Sequence, residues 1–223
     1  MRILLFSCSR TIVILANCIF VSHDLCAGID PLASRRAKQF AERNEPLSRM
    51  SEIFLPEESG RVSADVLLSI WRSRHEALTK GKTTVEQFSA LSTFCGLVVK
   101  SPDGIKLLPE LMDAISELPA PTGKLPGLDQ NQDRVIQEHG DKLGVVLRCV
   151  LQLKGPSGFN ELYDGFKKGG ENTKLKPLVE GVYLLGESEF LEVIAGRIEQ
   201  ERDPELHEIL VTCFDRLKER VKR

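Results

Sequence analysis

The chain has 223 residues, a formal net charge of −2 and a pI near 6.1; 42% of its residues are apolar and 28% are charged. This composition excludes disordered and collagen-like classes and is ordinary for a globular protein with one sizeable core or two small ones. The near-neutral charge provides no overall basic field, so we predict that nucleic acid is not a partner.

Residues 1–28 have the order of a secretory signal peptide. Arg2 and Arg10 precede TIVILANCIFVS, an apolar run without a charge, and small residues follow at Cys26 and Gly28. This order predicts cleavage near Gly28 and a secreted or periplasmic protein. An uncleaved anchor is the alternative, but the uncharged run is too short to span a bilayer, so we expect no stable membrane span after cleavage.

A lipoprotein signal is a second alternative at the same end of the chain. The tetrapeptide LANC, which ends at Cys18, resembles a bacterial lipobox. Asn17 stands where that pattern has a small residue, however, and the apolar run continues past the cysteine. Ordinary cleavage is therefore the favoured interpretation.

Three of the six cysteines lie within residues 1–28. Cys95, Cys149 and Cys213 remain in the mature chain, and an odd number allows at most one internal disulfide. Each of them lies in an apolar helical pattern, which favours small, buried hydrophobic side chains. The sequence contains no Cys-x-x-Cys motif for zinc or redox chemistry.

Apolar residues at helical spacing dominate the mature chain, and no alternating strand pattern is visible. We predict an N-terminal helical segment over residues 29–60 and a helical-repeat domain over residues 61–223, with a Pro/Gly-rich loop at 119–131. The predicted helices cover residues 32–43, 46–54, 63–80, 84–100, 105–118, 132–153, 158–168, 174–185, 188–201 and 205–221.

Two corners of the chain have nearly the same sequence, KSPDG and KGPSG. Pro102 and Pro156 are predicted to end a helix, because proline lacks an amide donor and disfavours the α conformation in the residue before it. Gly104 and Gly158 are then expected to permit a sharp reversal into the next helix. The repeated corner therefore predicts a repeated helical hairpin.

A period of 31 residues covers the C-terminal part of the chain. It matches identical residues at Gly155/Gly186, Phe159/Phe190, Glu161/Glu192, Gly165/Gly196 and Leu175/Leu206. A hairpin of two helices cannot bury its apolar stripe alone, so successive hairpins are expected to stack. In this register Phe159 and Phe190 are expected to point into a shared core, and Glu161 and Glu192 are expected on the outer side.

The 31-residue period, the glycine corner and the Asp203-Pro204 step before the last helix resemble HEAT-like repeats of the short kind. The resemblance lies mainly over residues 132–223. Over residues 61–118 it is carried by the first proline–glycine corner and by the pairing of helices. It implies an all-α fold of stacked antiparallel helical hairpins, an α-solenoid, whose extended surfaces are suited to binding proteins or peptides.

Two His-Glu pairs are the candidate metal ligands. RHEAL, with His75 and Glu76, is similar to a phrase of deoxyhypusine hydroxylase, a HEAT-like enzyme in which paired His-Glu steps hold iron; His207 and Glu208 form the second pair. This resemblance implies a metal-dependent enzyme as an alternative function. A metal centre needs more converging ligands than such pairs supply here, so the sequence predicts no catalytic residue, no metal site and no cofactor.

Trp71, the only tryptophan, lies on an apolar helical stripe. It is either a core residue or, if half-exposed, a candidate binding anchor. The resulting prediction is an exported helical-repeat protein, not an enzyme, that acts as a protein-binding or scaffold module in the cell envelope. An envelope immunity protein that binds a toxin is a special case of this function, and the metal-dependent enzyme remains the other alternative.

Overall fold

The computed structural model describes residues 31–43, 45–53, 62–81, 83–121 and 142–221. The predicted signal peptide, most of the Pro/Gly-rich loop and the beginning of the helix predicted after that loop lie outside these ranges. Every regular element within them is a helix, which confirms the predicted all-α class. Over these parts of the chain, none of the helices combines the length and the hydrophobicity that a bilayer span requires.

The described residues form nine α-helices. Their bounds are α1 Pro31–Glu42, α2 Ser48–Ile53, α3 Ala64–Thr79, α4 Val85–Lys100, α5 Leu108–Glu117, α6 Lys142–Gly169, α7 Leu175–Leu185, α8 Phe190–Gln200 and α9 Pro204–Val221. Two 3-10 turns, Gly104–Leu107 and Asn172–Lys174, immediately precede α5 and α7. The helix predicted over residues 84–100 is therefore confirmed almost to the residue.

The start of α4 is fixed by a capping box at Thr84. The Thr84 hydroxyl accepts a hydrogen bond from the Gln87 amide at 3.1 Å, and the Gln87 side-chain oxygen accepts one from the Thr84 amide at 3.2 Å. Each bond satisfies a backbone donor that has no partner within the helix. Gln87 Nε2 also donates to the Ala77 carbonyl at 2.8 Å, which ties the start of α4 to the end of α3.

Helix α6 bends at Gly155, which has φ 62° and ψ −152°. Residues 142–154 form the first arm of this helix, and residues 156–169 form the second arm. The prediction that Gly158 makes the reversal after a stop at Pro156 is wrong. Gly155 makes the turn, and Pro156 opens the second arm, where an amide donor is not needed.

Gly104 and Gly158 serve close packing instead of chain reversal. Neither has a positive φ. A Cβ atom at Gly104 would lie 2.0 Å from the Val98 carbonyl oxygen, and one at Gly158 would lie 2.6 Å from Lys154 Cβ. Both positions therefore exclude a side chain because backbone or a neighbouring side chain already fills the space.

The 31-residue register pairs Gly155 with Gly186, and both have a positive φ, of 62° and 69°. Residues with a side chain are strained at such values, whereas glycine is not. At Gly186 the left-handed conformation ends α7, and a Cβ atom there would meet Arg220 Nε at 2.7 Å. This glycine pair therefore occupies corresponding positions of the register, each at the end of a run of helix, but the turns differ because ψ is −152° at Gly155 and 22° at Gly186.

Helices that are near in the chain also pack against one another. Contacts join α1 to α3, α2 to α4, α3 to α4, α4 to α6, α6 to α7, α7 to α9 and α8 to α9. Between α4 and α6, Cys149 Sγ donates to the Cys95 carbonyl at 3.7 Å; between α7 and α9, Cys213 Sγ donates to the Val179 carbonyl at 3.4 Å. All three cysteines are buried, as the sequence predicted.

The buried apolar side chains form one core cluster. Phe159 and Phe190 belong to it with 0% of their surface exposed, whereas Glu161 and Glu192 are exposed. These observations confirm the helical phase that the 31-residue register predicted for the second arm of α6 and for α8.

Four long basic side chains each reach the carbonyl end of an earlier helix. These cross-helix caps are Arg74 Nη2 to the Phe40 carbonyl at 3.4 Å, Lys142 Nζ to the Thr79 carbonyl at 2.9 Å, Lys174 Nζ to the Ile115 carbonyl at 2.9 Å, and Arg220 Nη1 to the Tyr183 carbonyl at 3.0 Å. Carbonyls at the end of a helix lack donors within it and carry partial negative charge. The basic side chains therefore satisfy these groups and hold neighbouring helices in position.

Candidate functional site

A groove between α3 and α5 contains the tryptophan of the chain, and we call it the Trp71 groove. Its volume is about 270 Å³. The lining residues are Trp71, Arg72, His75, Thr79, Glu110, Asp113, Ala114 and Glu117. The groove thus combines one aromatic ring, one imidazole and several carboxylates, which is a suitable set for binding a polar or charged group.

Trp71 forms the floor of the groove and is held by the core beneath it. Its side chain is 5% exposed and stacks on Phe94 of α4, with ring centroids 5.3 Å apart. The His75 ring lies one turn further along α3, 6.2 Å from the Trp71 ring. Thr79 Oγ1 donates to the His75 carbonyl at 2.6 Å. Trp71 is therefore mainly a core residue, and it presents only a small part of its surface to the groove.

Carboxylates from one face of α5 form the opposite wall. Glu110, Asp113 and Glu117 follow one another at intervals of three and four residues, which places them on the same side of the helix. Arg72 Nη2 lies 3.9 Å from Glu110 Oε1, but the Arg72 side chain is 73% exposed, so this ion pair is weak. The groove carries three carboxylates against one guanidinium.

One carboxylate oxygen in this wall has no donor. Glu110 Oε2 is buried and has no hydrogen-bond partner among the described residues. A buried acceptor that has lost its water without gaining a donor costs about 1–3 kcal/mol. An ammonium or guanidinium group placed in the groove would be attracted by its carboxylates, and its alkyl stem could lie on the exposed part of Trp71. The arrangement fits a lysine or arginine side chain of a ligand.

A second groove, with a volume of about 240 Å³, lies between α7 and α9. Its lining residues are Lys176, Val179, Glu180, Tyr183, Glu208, Ile209, Thr212, Cys213 and Arg216. Burial raises the pKa of the Glu180 carboxyl, and Lys176 only partly opposes this effect. Two basic and two acidic residues line this groove, so it offers no net charge to a ligand.

The two His-Glu pairs lie on different helices and in different surroundings. His75 lines the Trp71 groove, whereas Glu76 is exposed and pairs with Lys80 at 2.6 Å. Glu208 lines the groove between α7 and α9, and His207 is exposed beside it. Within the described ranges, no group of three or more His, Cys, Asp or Glu side chains is placed to hold a metal ion.

Glu201 forms a buried polar junction that the sequence did not reveal. Its side chain is 4% exposed. Its carboxylate accepts hydrogen bonds from the Tyr163 hydroxyl, from Lys167 Nζ at 3.0 Å and from the Asp203 amide at 2.9 Å. Burial alone would raise the pKa of Glu201, but these bonds outweigh burial and lower the pKa to about 2. Glu201 thereby joins the second arm of α6 to the start of α9.

Arg197 of α8 extends this junction along the second arm of α6. Its guanidinium donates to both carboxylate oxygens of Asp164, at 2.6 and 2.9 Å, and to Asn160 Oδ1 at 2.9 Å. It also lies 4.8 Å from the centre of the Tyr163 ring. Asp164 and Arg197 are 33 residues apart, close to the repeat period, and this spacing is the signal from which the pair could have been found. Because donors and acceptors are matched here, the junction stabilises packing.

The described part of the chain is thus an all-α protein with an acidic groove that has an aromatic floor. No protein-family model, no curated protein and no solved structure matches the chain. Assignment of function therefore rests on the residues of the groove and on the sequence pattern.

Proposed function

We propose that this protein is an exported helical-repeat module of the HEAT-like kind that binds a basic segment of another protein or a peptide in the cell envelope. Export is supported by the order of basic, apolar and small residues over 1–28. Stacked hairpins are supported by the 31-residue register and by the succession of contacts from α2 through α4, α6 and α7 to α9. A stack of this kind offers extended surfaces to segments of other proteins.

The observation that carries the binding function is the unmatched negative charge of the Trp71 groove. Three carboxylates there face one exposed guanidinium, and Glu110 Oε2 has no hydrogen-bond partner among the described residues. A ligand with complementary charge is attracted by these carboxylates. The groove between α7 and α9 has balanced charges and lacks this feature.

Salt should weaken the binding of such a ligand. Asp113 and Glu117 are exposed, so their attraction for a basic segment is screened when the Debye length falls below about 10 Å, which occurs above about 0.1 M salt. The buried Glu110 oxygen is screened less. We therefore expect affinity to fall with salt but to remain measurable, because Trp71 and Glu110 still contribute.

Trp71 provides a direct test, because its fluorescence comes from the only tryptophan in the chain. Titration with a peptide rich in lysine and arginine should give a saturable change in emission, whereas a matched peptide with glutamate at the basic positions should give none. The double variant Glu110→Gln, Asp113→Asn should weaken binding at least about tenfold, which corresponds to about 1.4 kcal/mol.

A double variant in the other groove supplies the matched control. Glu180→Gln with Glu208→Gln removes the same amount of charge between α7 and α9, and it should bind the basic peptide as the unchanged protein does. Equal binding of basic and acidic peptides would contradict the proposal. So would a loss of affinity in the control variant as large as that in the Glu110 and Asp113 variant.

A further inference from the structure

Two buried cysteines face each other across the interface between α4 and α6. Cys95 is 5% exposed and Cys149 is 1% exposed. Cys149 Sγ lies 3.7 Å from the Cys95 carbonyl oxygen. The neighbouring Cys95 side chain and burial both raise the pKa of the Cys149 thiol. Cys213 lies elsewhere, between α7 and α9, with its sulfur on the Val179 carbonyl.

We propose that Cys95 and Cys149 form a disulfide bond that joins α4 to α6 when the chain folds in an oxidising compartment. The oxidising compartment is an expectation that depends on the proposed export, whereas the choice of Cys95 and Cys149 as the pair depends only on the structure. Cys95 and Cys149 share one helix interface, and Cys213 lies at another. The structure therefore selects one pairing where the sequence allowed any, and Cys213 remains a free thiol.

The reaction is a two-electron oxidation by a disulfide. The thiolate of one cysteine attacks the oxidant, which is glutathione disulfide or the disulfide of a protein oxidoreductase, and one thiol of the oxidant leaves. The second cysteine then attacks the mixed disulfide, the sulfur–sulfur bond between Cys95 and Cys149 forms, and the second thiol of the oxidant leaves. The two cysteines lose two hydrogens in total, and the oxidant gains them.

The burial of the two sulfurs determines when the bond forms. In the folded chain the raised pKa of Cys149 makes its thiolate scarce, and an oxidant has little access to side chains that are 5% and 1% exposed. The bond therefore forms while the helices are assembling. Once it has formed, the same burial protects it from reduction.

The disulfide links residues 54 positions apart, and the loop that it closes includes α5 and the Pro/Gly-rich loop. A crosslink across a long loop stabilises a fold by restricting the unfolded chain. We expect the oxidised protein to have a Tm about 10 °C above that of the reduced protein.

The test is peptide mapping without reductant, after the full chain with Cys8, Cys18 and Cys26 replaced by serine has been refolded from denaturant in glutathione disulfide and its free thiols have been alkylated. The expected product is a linked pair of peptides containing Cys95 and Cys149, about 2 Da lighter than the two reduced peptides together, with Cys213 alkylated. Folded reduced protein exposed to the same oxidant should stay unlinked over the same time. A linked peptide that contains Cys213, or folded protein with both Cys95 and Cys149 alkylated after oxidative refolding, overturns the proposal.

Single substitutions complete the test. Cys213→Ser should keep the linked pair and the higher Tm, whereas Cys95→Ser should lose both. Because serine places a hydroxyl in a buried position, Cys95→Ala is used beside it, and circular dichroism verifies that each variant folds. If the exported chain starts at Ile29 but Cys95 and Cys149 are both free thiols, the disulfide proposal is wrong and the export proposal stands. If the chain keeps residues 1–28 but Cys95 and Cys149 are linked, the export proposal is wrong and the disulfide proposal stands.

Discussion

The ammonium of Lys142, at the start of α6, donates hydrogen bonds to the carbonyl oxygens of Thr79 and Gly81, at 2.9 and 3.0 Å. Lys142 is 3% exposed, so this cation has exchanged water for backbone carbonyls at the negative end of the α3 dipole. Lys174 makes the same arrangement with the carbonyls of Ile115 and Ser116 at the end of α5. These bonds position α6 and α7 against helices that end about 60 residues earlier in the chain.

Replacement of Lys142 by methionine should therefore destabilise the protein. Lys142→Met keeps the length of the apolar stem but removes the charged donor, and it leaves the carbonyls of Thr79 and Gly81 without this partner. We expect the free energy of unfolding to fall by about 2–3 kcal/mol in urea titrations. Lys168→Met, at an exposed position of the second arm of α6, is the control and should change it by no more than about 0.5 kcal/mol. Equal effects of the two substitutions would show that the cross-helix cap contributes no stability.

The two phenylalanines of the 31-residue register should be equally important for stability. Phe159 and Phe190 are both 0% exposed, and replacement of a buried phenylalanine by alanine costs about 3–5 kcal/mol. Phe159→Ala and Phe190→Ala should each lower the midpoint of thermal unfolding strongly and by similar amounts, while helical circular dichroism persists at low temperature. Glu161→Ala and Glu192→Ala should change the free energy of unfolding by about 0.5 kcal/mol or less. Glutamate variants as damaging as the phenylalanine variants would contradict the observed packing.

Acid should destabilise the protein partly through Glu201. Its pKa in the folded chain is about 2, below the ordinary value of 4.5, so its contribution to stability is present above pH 4.5 and is lost as the pH falls toward 2. Glu201→Gln should lower the free energy of unfolding at pH 7 by about 2–3 kcal/mol and should flatten its fall between these pH values. Glu192→Gln, at an exposed site, should keep the slope of the unchanged protein. An unaltered slope in Glu201→Gln would assign the acid sensitivity to other groups.

The mature chain should begin at Ile29 when the full sequence is expressed in a host with a secretory pathway. Cleavage after Gly28 leaves small residues at the two positions that signal peptidase reads. Intact-mass measurement of the exported protein checks this prediction directly. Gly28→Leu should block cleavage and leave the precursor attached to the cell, because a bulky residue does not fit the site. Exported protein that retains residues 1–28 would contradict the signal-peptide interpretation.

The helices of this protein could be predicted from sequence because their signals are local. Apolar spacing, the Asp203-Pro204 step and the Thr84 cap each lie within a few residues of the boundary that they define. The burial of Phe159 and Phe190 could be predicted as well, since the repeat fixes their phase. The residue that bends α6 could not be predicted, because Gly155 and Gly158 both lie near Pro156 and the local sequence does not indicate which of them turns the chain.

The Trp71 groove could not be predicted because its walls come from separate parts of the chain. Glu110 lies 39 positions after Trp71 in the sequence, and only the packing of α5 beside α3 brings the two together. The cross-helix cap from Lys142 to Thr79 could not be predicted from sequence for the same reason, since the two residues lie 63 positions apart in the chain. A lysine in an apolar stretch gives no indication of which distant carbonyl it will reach.

The bend at Gly155 has a consequence for chirality. Its angles, φ 62° and ψ −152°, are the mirror image of the extended polyproline conformation that an ordinary residue prefers before a proline. A Cβ atom at this glycine would meet only Glu189 Oε1, at 3.6 Å, which is an ordinary contact. L-Alanine is therefore disfavoured at this position by handedness and not by lack of room. D-Alanine, introduced by chemical ligation, would adopt the same backbone angles without strain. The backbone at residue 155 therefore accommodates a D-amino acid better than any L-amino acid with a side chain.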